Sequence, residues 1–188
     1  TFTLLVSVAL SAQTTDLNVN NVTKNIYKKY YKPIHFVKLG RKKIEILIKR
    51  IGLFRNKAKS VYLLSKQLIE KHDGKVPKNF KDLENLHGVG HKTASVLMSQ
   101  KFGVPAFPVD THIHRLAQRW GLTNGKNVIQ TEKDLKRLFP KKTWTKLHLQ
   151  IIYYGREYCK ARECYGVTCK ICTTCYPARK KPIKTKKA

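Results

Sequence analysis

A cation is unfavourable in the first turn of an α-helix, where the aligned peptide dipoles leave partial positive charge. The segment LHGVGHKTA puts two there, His91 and Lys92, directly after a Gly-Val-Gly turn. A local rule broken at one place marks a site where function outweighs stability. The same field, neighbouring cations and partial burial would favour the neutral, nucleophilic form of the Lys92 amine, able to form a Schiff base; a close carboxylate would act in the opposite sense. For any single lysine among so many, a solvated surface position is the alternative. Gly88 and Gly90 allow a tight turn and close approach by a partner. Their amides, at the start of the second helix, suit a phosphate. A helix-turn-helix corner without a ligand would use the same residues.

Two further groups carry chemistry. Asp110 precedes an apolar-faced helical pattern and suits an N-cap. Cys159, Cys164, Cys169, Cys172 and Cys175 are the only cysteines and fall in one short stretch. With none elsewhere to pair across a fold, the pattern points to metal ligation rather than disulfides. Four thiolates in a compact loop serve a 4Fe-4S cluster or a structural zinc equally well.

These groups sit in a strongly basic chain. Lys and Arg number 39 against 11 Asp and Glu, for a formal charge of +28 over 188 residues. That excess exceeds what solubility needs and points to a polyanion, nucleic acid first. An apolar fraction of 41% fits a globular fold. No apolar stretch approaches the roughly 20 residues of a membrane span. The opening TFTLLVSVALSAQ imitates a secretion signal but lacks a basic leading segment. It reads as a buried helix, with the expectation that the chain starts inside its domain.

The positioning elements read as helices throughout, so the expected class is all-α. After the first apolar helix come a polar break at 11–16, a helix over 17–30, a Pro33-marked loop and a short helix over 44–51. Asn56 is the expected cap of a helix over 57–72. Asn79 with Asp82 opens the first helix of the hairpin, and 91–102 forms the second. Asp110 caps 111–120, and two further helices lie near 131–139 and 144–154. The final ARKKPIKTKKA buries nothing and is expected to be a disordered basic tail. The division is residues 1–104, with the hairpin; 105–177, with Asp110 and the cysteines; and the tail, 178–188.

LHGVGHKTASVL followed by VPAFPVDTHIHRLAQRWGL resembles the helix-hairpin-helix and Gly/Pro-Asp signature of the endonuclease III family. LSAQTTD, IGLFRNKA and YGREYC extend the resemblance over nearly the whole chain; only the family's leading segment has no counterpart. It implies a helical barrel lobe, a second helical lobe ending in a cysteine-ligated loop, and a bifunctional DNA glycosylase and abasic-site lyase of base-excision repair. Lys92 takes the catalytic lysine position and Asp110 that of the aspartate. Related enzymes that only remove bases lack the lysine. Oxidised or damaged pyrimidines in duplex DNA are the implied substrates, for a monomer working inside the cell wherever its DNA lies.

The resemblance gives Gln13 and Leu53 the task of filling the gap left by a flipped-out base. A helix cap for Gln13 and ordinary core for Leu53 are equal alternatives. His87, Gly88, Val89, Gly90, His91 and Thr93 are the expected backbone-binding hairpin. His87 departs from the pattern, since the family usually carries Pro there. The family's cofactor is a 4Fe-4S cluster, a clip presenting basic residues, here Arg156, Lys160, Arg162 and Lys170, to DNA. Nine, two and two residues separate Cys159, Cys169, Cys172 and Cys175, where the family has six, two and five. In strict family register the second ligand falls on Gly166, and Cys164 or Cys172 must substitute. A loop that has lost its metal is the remaining possibility. The competing functions are a catalytically dead helix-hairpin-helix DNA binder and a monofunctional adenine or mismatch glycosylase.

Overall fold

Runs of apolar residues at three- and four-residue spacing, closed by polar caps, leave this chain little option but helix. In a computed structural model describing residues 1–188, ten α-helices and one short 3-10 turn form, with no strand. Two compact units result, Thr1–Gly103 and Val104–Ala188.

In the first unit, α1 (Phe2–Leu10) buries Phe2, Leu5, Val6 and Leu10, consistent with the buried reading of the signal-like opening. α2 (Asp16–Lys29) begins at Thr15, whose side chain accepts from the Asn18 amide. The loop expected around Pro33 is instead a helix start. Pro33 occupies the first turn of α3 (Pro33–Leu47), where its missing N–H costs nothing. Gly40, at φ 70°, breaks α3 in the middle. α3 therefore starts before the expected 44–51 helix and ends within it, at Leu47.

α4 (Phe54–His72) is the long element of this unit and packs on α3 and α1. Its buried face comprises Ala58, Val61, Leu64, Ser65 and Leu68. Fully burying one such leucine contributes about 1.5–3 kcal/mol. Asn56 is not its cap; Leu53 is, in the left-handed region and with no side-chain cap bond. α5 (Phe80–Glu84) and α6 (His91–Phe102) pack together, and α6 also rests on α1.

The second unit is built on α7 (Thr111–Arg119), which packs on α8 (Val128–Leu138) and α9 (Trp144–Glu157). Asn127 caps α8, three residues earlier than the sequence pattern suggested. Phe107, Ile113, Leu116, Leu135 and Ile151 share one buried cluster with four of the cysteines. The short α10 (Lys170–Cys175) lies inside the cysteine segment, where no helix was expected.

The tail departs from expectation. Arg179 Nη1 donates to the carbonyls of Arg119, at 2.7 Å, and Gly166, at 3.1 Å. Ile183 N–H donates to Tyr165 O at 2.9 Å. The Gln118 amide exchanges hydrogen bonds of 2.7 and 3.1 Å with the Lys186 backbone. The Arg179 and Gln118 side chains, with one backbone pair, hold this segment against its unit.

Candidate functional site

The hairpin is fixed from both sides. Asn79 caps α5 by accepting from Asp82 N–H at 2.8 Å, and its own amide donates to the Asp82 carboxylate at 2.8 Å. Beyond α5, Leu86 N–H bonds Leu83 O and Val89 N–H bonds Leu86 O, each at 3.1 Å. Val89 is buried, so its side chain anchors the turn. The two glycines serve different purposes. Gly88 stands at φ 76°, and a Cβ there would lie 2.8 Å from Ser60 Cβ on α4, so the fold itself demands glycine. A Cβ on Gly90 would meet nothing within 4 Å. Packing thus does not demand glycine at 90, and the space beside it, next to the start of α6, is open.

No side chain caps α6. An uncapped helix start, with the helix dipole behind it, is the arrangement of an anion site. His91, expected to join the binding surface, is engaged by its neighbours. Its Nδ1 lies 2.7 Å from Glu84 Oε1, and its ring stacks on Phe80 with centroids 5.9 Å apart. Glu84 also places a carboxylate beside this helix end, where the dipole favours negative charge. His87 is exposed and Thr93 half-buried. Lys92 is exposed on the first turn of α6, which corrects the expectation of partial burial.

Asp110 caps α7, its Oδ1 accepting from Ile113 N–H at 2.8 Å. That bond uses one carboxylate oxygen and leaves Oδ2 outside it. His112, in the first turn of the same helix, is held below its usual range by burial, which outweighs the opposing pull of the Asp110 carboxylate.

Gln13 and Leu53 share an unusual backbone. They stand at φ 56° and 57°, and both are exposed, Leu53 by 56%. Neither alternative survives. Gln13 caps no helix, since Ser11 closes α1 and Thr15 opens α2. Leu53 is not core. A left-handed conformation costs a non-glycine residue roughly 1–2 kcal/mol, and an exposed leucine recovers little of that by packing. Asn18 ties the two loops, its amide donating to Thr14 Oγ1 at 3.3 Å and to Arg50 O at 3.2 Å.

In the second unit, the sulfurs of Cys159, Cys164, Cys169 and Cys172 all lie within 4.8 Å of one another, and all four residues are buried. Cys159 and Cys164 each approach Cys172 at 3.9 Å. This corrects the expected set of Cys159, Cys169, Cys172 and Cys175. α10 directs Cys175 outward, where it is exposed, and Cys164 supplies the fourth sulfur. Four buried thiols without a disulfide are the donor set of a thiolate-ligated metal centre. Burial would raise the Cys164 thiol, but N–H groups of Cys169, Thr168 and Gly166 outweigh it and bring the group down to about 5. Burial pushes Cys159 up to about 11, against the opposing Arg119 guanidinium.

Two arginines on α7, overlooked in the sequence, hold this loop. Arg119, 2% exposed, donates from Nη1 to Cys159 Sγ at 3.3 Å, Cys159 O at 3.3 Å and Lys160 O at 2.9 Å, and from Nη2 to Ala161 O at 3.0 Å. Arg115 Nη2 reaches the carbonyls of Gly155 and Cys159, both at 3.0 Å. The available signal was their i, i+4 spacing on a helix that also presents apolar residues. Arg156, Lys160, Arg162 and Lys170 are exposed around the loop, and Lys160 pairs with Glu163 at 3.1 Å.

Residues 6–141 match the model of the HhH-GPD superfamily of base excision DNA repair proteins. The chain is 43% identical to an endonuclease III of Bacillus subtilis over 97% of its own length and 84% of the relative's. The belonging is settled by that coverage together with the hairpin. The chain belongs to the endonuclease III family. It is accordingly a base-excision DNA glycosylase with abasic-site lyase activity. Endonuclease III of Rickettsia prowazekii is 42% identical over 91% of this chain and 79% of its own. A solved endonuclease III trapped as a covalent intermediate with DNA superposes with a TM-score of 0.85 at 41% identity, covering 89% of this chain and 79% of that one. No helix is long and apolar enough to cross a membrane.

Proposed function

We propose that this chain excises oxidised or ring-damaged pyrimidines from duplex DNA and cleaves the strand 3′ to the resulting abasic site, with Lys92 as nucleophile. The observation that carries the reading is the uncapped start of α6, open in front of Gly90 with Lys92 on its first turn. Backbone amides there hold a phosphate without reading sequence. The neutral Lys92 amine forms a bond to C1′ as the bond from C1′ to the base breaks, and the base leaves with a proton. Opening of the sugar gives the Schiff base, loss of a C2′ proton expels the 3′ phosphate by β-elimination, and water releases Lys92. Asp110 takes the proton shed by the amine and stabilises positive charge on the sugar. Gln13 and Leu53 enter the gap left by the flipped nucleotide, and Arg156, Lys160, Arg162 and Lys170 contact the backbone. The enzyme acts as a monomer inside the cell.

Cys159, Cys164, Cys169 and Cys172 hold a 4Fe-4S cluster, which supplies no reacting atom and closes the loop that carries those cations. A structural zinc is the second reading, favoured by one observation. Zinc–thiolate bonds of about 2.3 Å put tetrahedral sulfurs about 3.8 Å apart, and two pairs stand at 3.9 Å. Visible absorption with iron, sulfide and zinc analysis separates the two.

A duplex with one oxidised pyrimidine at a defined position tests the function. The expected product is a strand cut 3′ to the lesion with a β-elimination terminus. An intact strand, or an abasic site cut only by added alkali, overturns the proposal.

A further inference from the structure

Residue 87 begins the hairpin turn and carries an N–H that proline would lack. A turn meant to hold a phosphate needs that donor satisfied and the chain fixed. The α4 side chain of Gln67 does both. Its Oε1 accepts from His87 N–H at 2.6 Å, and its Nε2 donates to Asn85 O at 3.3 Å. One amide thus grips the strand entering the turn at two points, two residues apart. Seven residues earlier on α4, Ser60 is the surface against which Gly88 closes, with its missing Cβ position 2.8 Å from Ser60 Cβ. Residues seven apart fall on one helix face, about 10 Å apart along the axis. Leu53 caps the amino end of the same helix.

We infer that Gln67 is a positioning residue for the phosphate-binding hairpin: it replaces, through its two hydrogen bonds, the rigidity that a proline at position 87 would provide. The inference rests on the reading of the hairpin as the DNA-backbone contact. Ser60 sets the height of the turn, and Gln67 sets its direction by fixing residues 85 and 87. Without Gln67, the His87 N–H turns to water and the turn gains freedom that DNA binding must then remove. With proline at 87, neither the donor nor that freedom exists, so Gln67 has nothing left to hold there.

The test compares full-length protein, Gln67→Leu, Gln67→Leu with His87→Pro, and Gly88→Ala, for binding to a duplex carrying a reduced abasic-site analogue at fixed salt. Thermal midpoints are recorded for each. Gln67→Leu is expected to bind about 3- to 10-fold more weakly, the range of one or two hydrogen bonds, and the added proline to restore binding to within about twofold. A general loss of stability would not be repaired by proline at one turn. Parent-like binding by Gln67→Leu, or a double variant as weak as the single one, overturns the inference. Unchanged binding by Gly88→Ala overturns the hairpin reading itself and this inference with it. A weakened Gly88→Ala beside an unaffected Gln67→Leu removes only the role of Gln67.

Discussion

Replacing Arg119 with methionine removes the guanidinium that joins α7 to the cysteine loop while keeping most of the apolar stem. Four hydrogen bonds are lost, three to the consecutive carbonyls of residues 159–161 and one to Cys159 Sγ. Cys159 O keeps its bond from Arg115 and Lys160 O a longer one from Cys164 N–H, so Ala161 O alone is left without a donor, at about 1–3 kcal/mol, while each of the other lost bonds costs about 0.5–1.5 kcal/mol. Removing a charge that is 2% exposed returns part of that through desolvation. The net loss is about 3 kcal/mol, and a chain of this length shifts its melting midpoint by about 2–4 °C per kcal/mol, so Tm falls by roughly 6–12 °C. The loop also carries the proposed metal ligands, so bound metal per chain is expected to fall in parallel. Calorimetry and metal analysis on protein purified identically give both values. A variant that melts within about 2 °C of the parent and retains its metal would refute the role assigned to Arg119.

Leu53→Gly relieves the left-handed strain and is expected to raise stability by up to about 1 kcal/mol. It should slow excision from duplex DNA and leave reaction with a single-stranded abasic site unchanged, as gel-based cleavage of both substrates would show. Cys164→Ser is expected to lose its metal and Cys175→Ser to keep it; the opposite outcome in metal analysis would restore the spacing-based ligand set. Burial pushes Tyr27 up to about 12, from 10 in the unfolded chain. The unfolded state thus loses its proton first, and stability contributed by neutral Tyr27 is present below pH 10 and declines between pH 10 and 12. Tyr27→Phe should show a shallower fall in denaturant midpoint over that window.

Much of the first unit was legible because its signals are local. Asn79 and Asp82, the Gly-Val-Gly turn and the apolar face of α6 lie within a few residues of one another. Asp110 was legible for the same reason, since a cap is read within one turn. Pro33 misled because proline marks loops and first helical turns alike. Asn56 was chosen as a cap by residue type, whereas the structure places Leu53 there in a conformation that propensity disfavours. The cysteine ligands could not be read from spacing, because the short helix α10 decides which sulfurs turn inward. Gln67, Arg115 and Arg119 act across 18 to 44 residues of sequence, and nothing in their own neighbourhoods reveals it. The tail was misjudged because its hold comes largely from the Arg179 and Gln118 side chains meeting backbone atoms 13 to 68 residues away in sequence, which composition does not encode.

The central claim is that Lys92 forms the covalent bond to DNA. Incubating the protein with duplex containing an abasic site, reducing with borohydride and mapping the adduct by peptide mass spectrometry tests it directly. The account predicts one adduct, on the peptide carrying Lys92, and none in Lys92→Ala. An undiminished adduct in that variant, or an adduct mapped to another lysine, would contradict it.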